Sequence, residues 1–384
     1  MNFELSDDLV ALRDVAREFL SERWTTEAAR KALDGPAAVV PEALWAQMAD
    51  MGWFGAACGE ASGGSGLGMT AAALLAMEAG RALLPSALMS TLAGAIAIDR
   101  SGQGKLKGEV LPAIIAGTIP VTLAFEEQNG TWGPDGGALV ADAAQGELSV
   151  SGTKILVPDA GTARLYLSSV SVAGRSMLLA VPAGLPGLTS AAMARIDGQD
   201  LGELCFDQVV VATDQMLGAY EDGSAVREAY AVWTVLVAAD LLGCAEAAMD
   251  MTVEYCKQRM QFGRPIGAFQ AVSHRLADVQ VSIEIGRSLL YAACLSLDEQ
   301  RSDACALVSA AKAFINEAAI ESCEAAMQLH GGIGYTWELD VHLYLRRVRS
   351  NAVTAGDASY HREVVVRHLS DRYADQSDAG AEVT

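Results

Sequence analysis

The chain has 384 residues, 51% of them hydrophobic and 20% charged, and a formal net charge of −21. That composition describes a folded chain of two or three domains, and excludes a disordered one. The acidity argues against nucleic acid and against an anionic membrane as partner, since both would repel it.

Seven cysteines are scattered without a C-x-x-C pair, and five histidines lack H-E-x-x-H spacing. They read as buried thiols of a reducing compartment, with no disulfide framework and no metal site. The start, MNFELSDDL, lacks the basic-then-apolar layout of a secretory signal, and no apolar run reaches the roughly 18 residues of a membrane span. The expected compartment is the cytoplasm.

Residues 6–24 predict an amphipathic helix, with Ser6 as N-cap, Asp7 and Asp8 at its positive end, and Leu9, Leu12, Val15, Phe19 and Leu20 at helical spacing. Pro41 can open a second helix that carries Leu44, Met48 and Met51, with Gly52 after it. GEASGGSGLG, 59–68, reads as a loop. No strand precedes it and no βαβ pattern follows, so it is not a dinucleotide fingerprint. Residues 69–84 suit a helix buried on most sides, and Gly117 and Pro120 punctuate LPAIIAGTIP, 111–120. The expectation for 1–117 is a helical domain.

From Val121 to Leu217 the period shortens. Alternating or β-branched runs at 148–156, 164–170, 177–181 and 204–211 lie between the turns Gly136-Gly137, Gly152, Asp159 to Gly161 and Pro182 to Gly187. This predicts a β domain over 118–220, a barrel or sandwich. Helical period returns near Glu221. Helices at 229–259, 269–300, 304–329, 340–349 and 359–373 predict an antiparallel bundle over 221–373, followed by a disordered tail, 374–384.

Two stretches of the bundle carry chemistry. In YCKQRMQFGRPIGAFQAVSHRLAD, Tyr255 to Asp278, Arg259 and Phe262 share a face if the incoming helix persists. Gly263 and Pro265 then end that helix, and another restarts near Phe269 carrying Gln270. A guanidinium, a ring and an amide so arranged suit a diphosphate, a flat heterocycle and a hydroxyl. In MQLHGGIGYTWE, 327–338, the glycines admit a ligand close to backbone and Gln328 can hydrogen-bond it. An ordinary helical hairpin and a glycine-rich helix end are the plainer alternatives.

The pattern R-x-x-F-G-x-x-x-x-x-x-Q resembles the acyl-CoA dehydrogenase family, as do HGGIGYT and EAGRALLPS (78–86). The resemblance covers nearly the whole chain. It implies an α+β multidomain fold: an N-terminal helical domain, a central β barrel or sandwich, and a C-terminal antiparallel helical bundle. It further implies FAD as cofactor and an acyl-CoA thioester as substrate. A glutamate takes the α-proton, the flavin takes the β-hydride, and an electron-transferring flavoprotein usually reoxidises it. In the family, Arg259, Phe262, Gln270, Gln328, Gly331 and Gly332 correspond to residues that reach across a subunit interface to a neighbour's FAD.

Elsewhere the match breaks. Counting from Glu338, the usual base position is Ala355, and the alternative base on an earlier helix is Trp233. The family's T-E-P-G-A-G-S reads FEEQNGT here, starting at Phe125. Its flavin-facing Trp and Thr are Leu156 and Pro158, and a further Thr that faces FAD is Asp357. Asp357 and Glu228 are left as candidate bases.

The departures are sorted: residues lent to a neighbour are kept, and residues of the chain's own flavin site are lost. The expectation is the non-catalytic subunit of a heteromeric, steroid-CoA type dehydrogenase, a heterotetramer with a second acyl-CoA dehydrogenase-like chain. A homo-oligomeric enzyme with a diverged site and a non-enzymatic scaffold are the alternatives.

Overall fold

The structure, a computed structural model, describes residues 5–134, 137–144, 146–218 and 223–381. Gly136 of the expected turn and Glu221 at the expected start of the bundle lie outside them.

Helix α1 (Asp7–Arg23) starts as its sequence dictates. Ser6 is extended and its Oγ accepts the Leu9 N–H at 3.4 Å. Leu12, Ala16 and Leu20 form the inward stripe at i+4 spacing, which turns Val15, expected on that stripe, to a 48% exposed edge. Helices α2 (Thr26–Leu33) and α3 (Glu42–Asp50) follow, the latter opened by Pro41 at its N-cap. Leu44 and Met48 are buried, whereas Met51 lies past the helix end and is exposed. Helices α4 (Gly68–Ala82), α5 (Ala87–Ser101) and α6 (Leu111–Ile115) complete the first helical layer.

Strands β1 (Val121–Ala124), β2 (Val140–Ala144), β3 (Glu147–Pro158), β4 (Leu165–Val172), β5 (Arg175–Pro182), β6 (Leu188–Ala192), β7 (Leu201–Ala212) and β8 (Met216–Leu217) make one mixed sheet. Its order is β6-β7-β3-β2-β4-β5-β8, with β1 also on β4. The sheet divides along β4, where β1 pairs parallel with the first half and β2 with the end. Side-chain alternation then assigns the faces. Leu165, Leu167, Leu178 and Ala180 join the helical core, while Tyr166, Val170, Met177 and Leu179 fill the sheet's own core.

The bundle comprises α7 (Ser224–Gln258), a hairpin of β9 (Met260–Gln261) and β10 (Arg264–Pro265), α8 (Gln270–Asp298), α9 (Ala304–His330), α10 (Val341–Asn351) and α11 (Ala358–Ala381). The backbone of α11 is helical to Ala381, past Tyr373. Helix α7 is long and apolar enough to cross a membrane, a property its sequence hides because Asp240 breaks the apolar run. Its most apolar stretch is 94% buried inside the fold, so it serves as the core helix.

Where α4 crosses α7, a Cβ on Gly80 would meet Asp240 O at 2.3 Å and one on Gly243 would meet Met77 O at 2.0 Å. The two backbones therefore touch. Arg347 of α10 locks this crossing, donating to Asp240 through Nε (3.1 Å) and Nη2 (2.7 Å), while Asn351 Nδ2 donates to the same carboxylate at 2.6 Å. Cys58, Cys244, Cys256, Cys294 and Cys323 are buried as expected, but Cys205 and Cys305 are exposed.

Candidate functional site

Helix α7 does not persist into the arm. Arg259 is its C-cap, with an extended ψ of 117°, so Arg259 and Phe262 do not share a helix face. The segment closes instead as a β-hairpin, Gln261 opposite Arg264 and Met260 opposite Pro265. Its two central residues, Phe262 and Gly263, have φ of 49° and 79°. Positive φ at both positions is the type I′ turn, whose twist suits a tight hairpin. The Arg259 carbonyl closes the base by accepting the Ile266 N–H at 2.8 Å.

The tip carries Phe262, 92% exposed and edge-on to Phe269 with ring centroids 6.1 Å apart. Arg259 and Gln270 are exposed beside it. Gln270 opens α8, whose first turn has no side-chain cap. Gln328 is exposed in the last turn of α9, and Gly331 (φ 65°, ψ −143°) and Gly332 are exposed just beyond. The rings of Tyr255 and His330 stack at 4.5 Å, joining the end of α7 to the end of α9.

A separate cavity of about 280 Å³ lies between the sheet and the bundle. Phe125, Leu156, Pro158 and Trp233, placed in one site by sequence, all line it, and Trp132, Arg195, Arg349 and Thr354 are among its other wall residues. None of the six arm and glycine-turn residues does. Leu156 and Pro158 offer no side-chain donor, and Phe125 packs edge-on against Tyr230 at 5.2 Å. The β3 side of this wall therefore offers a flavin ring no side-chain hydrogen bond.

At the usual base position, Ala355 is fully buried with φ 58°, and its carbonyl lies 2.8 Å from His361 Nε2. Burial lowers His361 to about 4, so it is neutral. Burial pushes the carboxyl of Glu126, a cavity residue, up to about 7 against the pull of Lys154 and the Ala355 N–H. Lys154 is itself buried, donating to Glu127 (2.6 Å), Ser169 (2.8 Å) and the Phe125 carbonyl (3.1 Å). Sequence gave no sign of Glu126, because its partner stands more than two hundred residues away.

The two candidate bases are engaged elsewhere. Asp357 Oδ1 accepts the Tyr360 N–H at 2.8 Å and caps α11, and Glu228 pairs with Arg100 at 3.0 Å. Neither lines the cavity. A larger cleft of about 430 Å³ among α1, α4, α7 and α8 is walled by charges that satisfy one another. Arg17 bonds Glu78 (2.7 Å), Arg81 bonds Asp250 (2.8 Å) and Arg287 bonds Glu246 (2.6 Å).

Helical layer, mixed sheet and helical bundle, with an exposed arm beside a glycine turn, define the acyl-CoA dehydrogenase class. The N-terminal domain of acyl-CoA dehydrogenases matches residues 6–118 and the C-terminal domain matches 225–370. This chain belongs to the acyl-CoA dehydrogenase family, oxidoreductases that act on the CH–CH bond of acyl-CoA. It is 30% identical to the acyl-CoA dehydrogenase IpdE2 of Mycobacterium tuberculosis over 346 residues, covering 88% of this chain and 92% of that protein. A solved chain of the Tcur3481–Tcur3483 steroid ACAD is 30% identical with a TM-score of 0.89, covering 96% and 99%. The fold recurs in the FAD complex of PigA, 24% identical with a TM-score of 0.86 over 97% and 100% of the two chains.

Proposed function

We propose that this chain is the non-catalytic, FAD-lending subunit of a heteromeric acyl-CoA dehydrogenase that desaturates a steroid-type acyl-CoA thioester. One observation carries the reading: the six residues suited to FAD are exposed and lie off the chain's own cavity, while that cavity lacks a flavin-facing donor on β3 and a carboxylate at Ala355. The likeness to the Tcur3481–Tcur3483 steroid ACAD supports a two-chain assembly. The proposed partners are a second acyl-CoA dehydrogenase-like chain in a heterotetramer, the acyl-CoA substrate and an electron-transferring flavoprotein, all in the cytoplasm.

FAD held by the partner supplies the acceptor for the substrate's β-hydride. This chain's residues bind and orient it. Arg259 would hold the diphosphate, with the uncapped first turn of α8 offering backbone N–H groups. Phe262 would cover a flat face of the dinucleotide, and the Gln270 and Gln328 amides would hydrogen-bond its polar edges. Gly331 and Gly332 let backbone approach without a side chain between.

The test is an absorption spectrum of the chain purified alone and co-expressed with a second dehydrogenase-like chain. The lone chain should be colourless or poorly flavinylated, and the complex yellow with one FAD per pair of subunits. One tightly bound FAD per subunit of the lone chain refutes the proposal.

A second reading, a homo-oligomeric enzyme with a diverged site, is favoured by Glu126. Its carboxyl lies against the usual base position and titrates near neutrality, as a general base should. In that case Glu126→Gln abolishes turnover of a preparation whose flavin content is unchanged.

A further inference from the structure

The two groups of lent residues sit on different helices. Arg259, Phe262 and Gln270 follow α7, whereas Gln328, Gly331 and Gly332 end α9. A single rigid ligand engages both only if their spacing is fixed, because misplacement of about 1 Å is costly at a binding site. The fixing contact is the Tyr255–His330 pair. The rings stack at 4.5 Å with an interplanar angle of 30°, and Tyr255 Oη donates to the His330 carbonyl at 3.4 Å.

Each ring is tied closely to its group. The Tyr255 carbonyl accepts the Arg259 N–H at 2.8 Å, and His330 immediately precedes Gly331. His330 is anchored in turn, with Nδ1 at 2.8 Å from the Ala326 carbonyl. It is buried, and burial lowers its pKa, so the stacked ring is neutral. Behind it the turn is wound tightly: a Cβ on Gly334 would meet Met327 O at 2.7 Å and His330 Cβ at 3.2 Å.

We propose that Tyr255 and His330 act as a positioning clasp that sets the distance between Arg259 and the Gln328–Gly332 turn, so that one dinucleotide bridges both. The proposal rests on the lending function above. Neither ring is a ligand contact; both act through the residues they hold.

The test is a double-mutant cycle on FAD affinity, measured by flavin titration of the deflavinated complex of this chain with its co-expressed partner. The four species are wild type, Tyr255→Leu, Arg259→Ala and the double variant. Leu keeps an apolar contact on His330 and removes the ring face and hydroxyl. Arg259→Ala should weaken FAD by roughly ten- to a hundredfold. Tyr255→Leu should weaken it about tenfold when Arg259 is present but less than about threefold when it is absent, since coupled residues are non-additive. Tyr255→Phe, which restores the stack, should recover affinity to within about threefold, and the thermal midpoint of the flavin-free chain should not move in either Tyr255 variant.

Equal weakening by Tyr255→Leu in both backgrounds overturns the clasp while leaving the lending function intact. A fall in the flavin-free midpoint with additive affinity losses also overturns it, making the pair ordinary packing. No loss of affinity in Arg259→Ala overturns both the clasp and the lending function.

Discussion

Phe262→Asn should move the isolated chain and the complex in opposite directions. In this chain Phe262 stands at the first central position of a type I′ turn with φ of 49°, where Asn followed by Gly is the favoured pair. A non-glycine residue in the left-handed region costs about 1–2 kcal/mol, and Asn relieves part of that. Little is lost in exchange, since the ring is 92% exposed and stands edge-on to Phe269. Relief of about 1 kcal/mol should slow amide exchange at Ile266, whose N–H closes the hairpin, by about fivefold.

In the complex the sign reverses. A phenylalanine buried on assembly contributes about 1.5–3 kcal/mol, so FAD retention or subunit affinity should fall roughly ten- to a hundredfold. Hydrogen exchange on the lone chain and flavin titration of the complex measure the two effects separately. Faster exchange at Ile266 in the variant, or unchanged flavin affinity, refutes the reasoning.

Asp357→Asn should leave turnover of the complex within a few-fold, because Asn caps a helix as well as Asp; a loss of 10²–10⁴, the usual worth of a general base, would show that Asp357 does the chemistry. Glu126→Gln should stabilise the chain by about 1–2 kcal/mol at pH 8 and lose that advantage by pH 5. The sign follows from a carboxyl raised from 4.5 to about 7 on folding: the folded state holds the extra proton, so stability is present at low pH and lost as pH rises through 7. Melts of equal offset at both pH values contradict this. Asp240→Ala strands Arg347 as a buried unpaired cation and should cost about 3–5 kcal/mol in urea unfolding, whereas a cost below about 1 kcal/mol would mean the pair is solvated.

What was legible in the sequence was whatever depends on near neighbours. The Ser6 cap, the Pro41 start and the stripes of the amphipathic helices were readable because their partners lie within one turn. Helix α5 carries buried residues on all faces and so shows no period to read. Strands β1, β2 and β6 are too short for an alternation to stand out. The arm's residues were identifiable but its shape was not: two-residue strands have no pattern, and a phenylalanine at a type I′ position gives no turn signal. Phe125, Leu156, Pro158 and Trp233 could be gathered by family resemblance, and they do share a cavity. Glu126 and the Tyr255–His330 stack depend on contacts between distant segments, which no local pattern records.

The backbone-to-backbone crossing of α4 and α7 also dictates how the protein must be made. Gly80 is synthesised about 160 residues before Gly243, and the apolar surface of α4 has no other partner that buries it as closely. At about 5–20 residues per second, α4 waits roughly ten to thirty seconds at the ribosome before its counterpart is complete. During that interval a nearly all-apolar helix is open to wrong partners, including another nascent chain. Expression of the first helical layer as a fragment should therefore yield aggregates, and a chaperone that shields apolar segments during synthesis should raise the yield of the full chain more than any change to its surface.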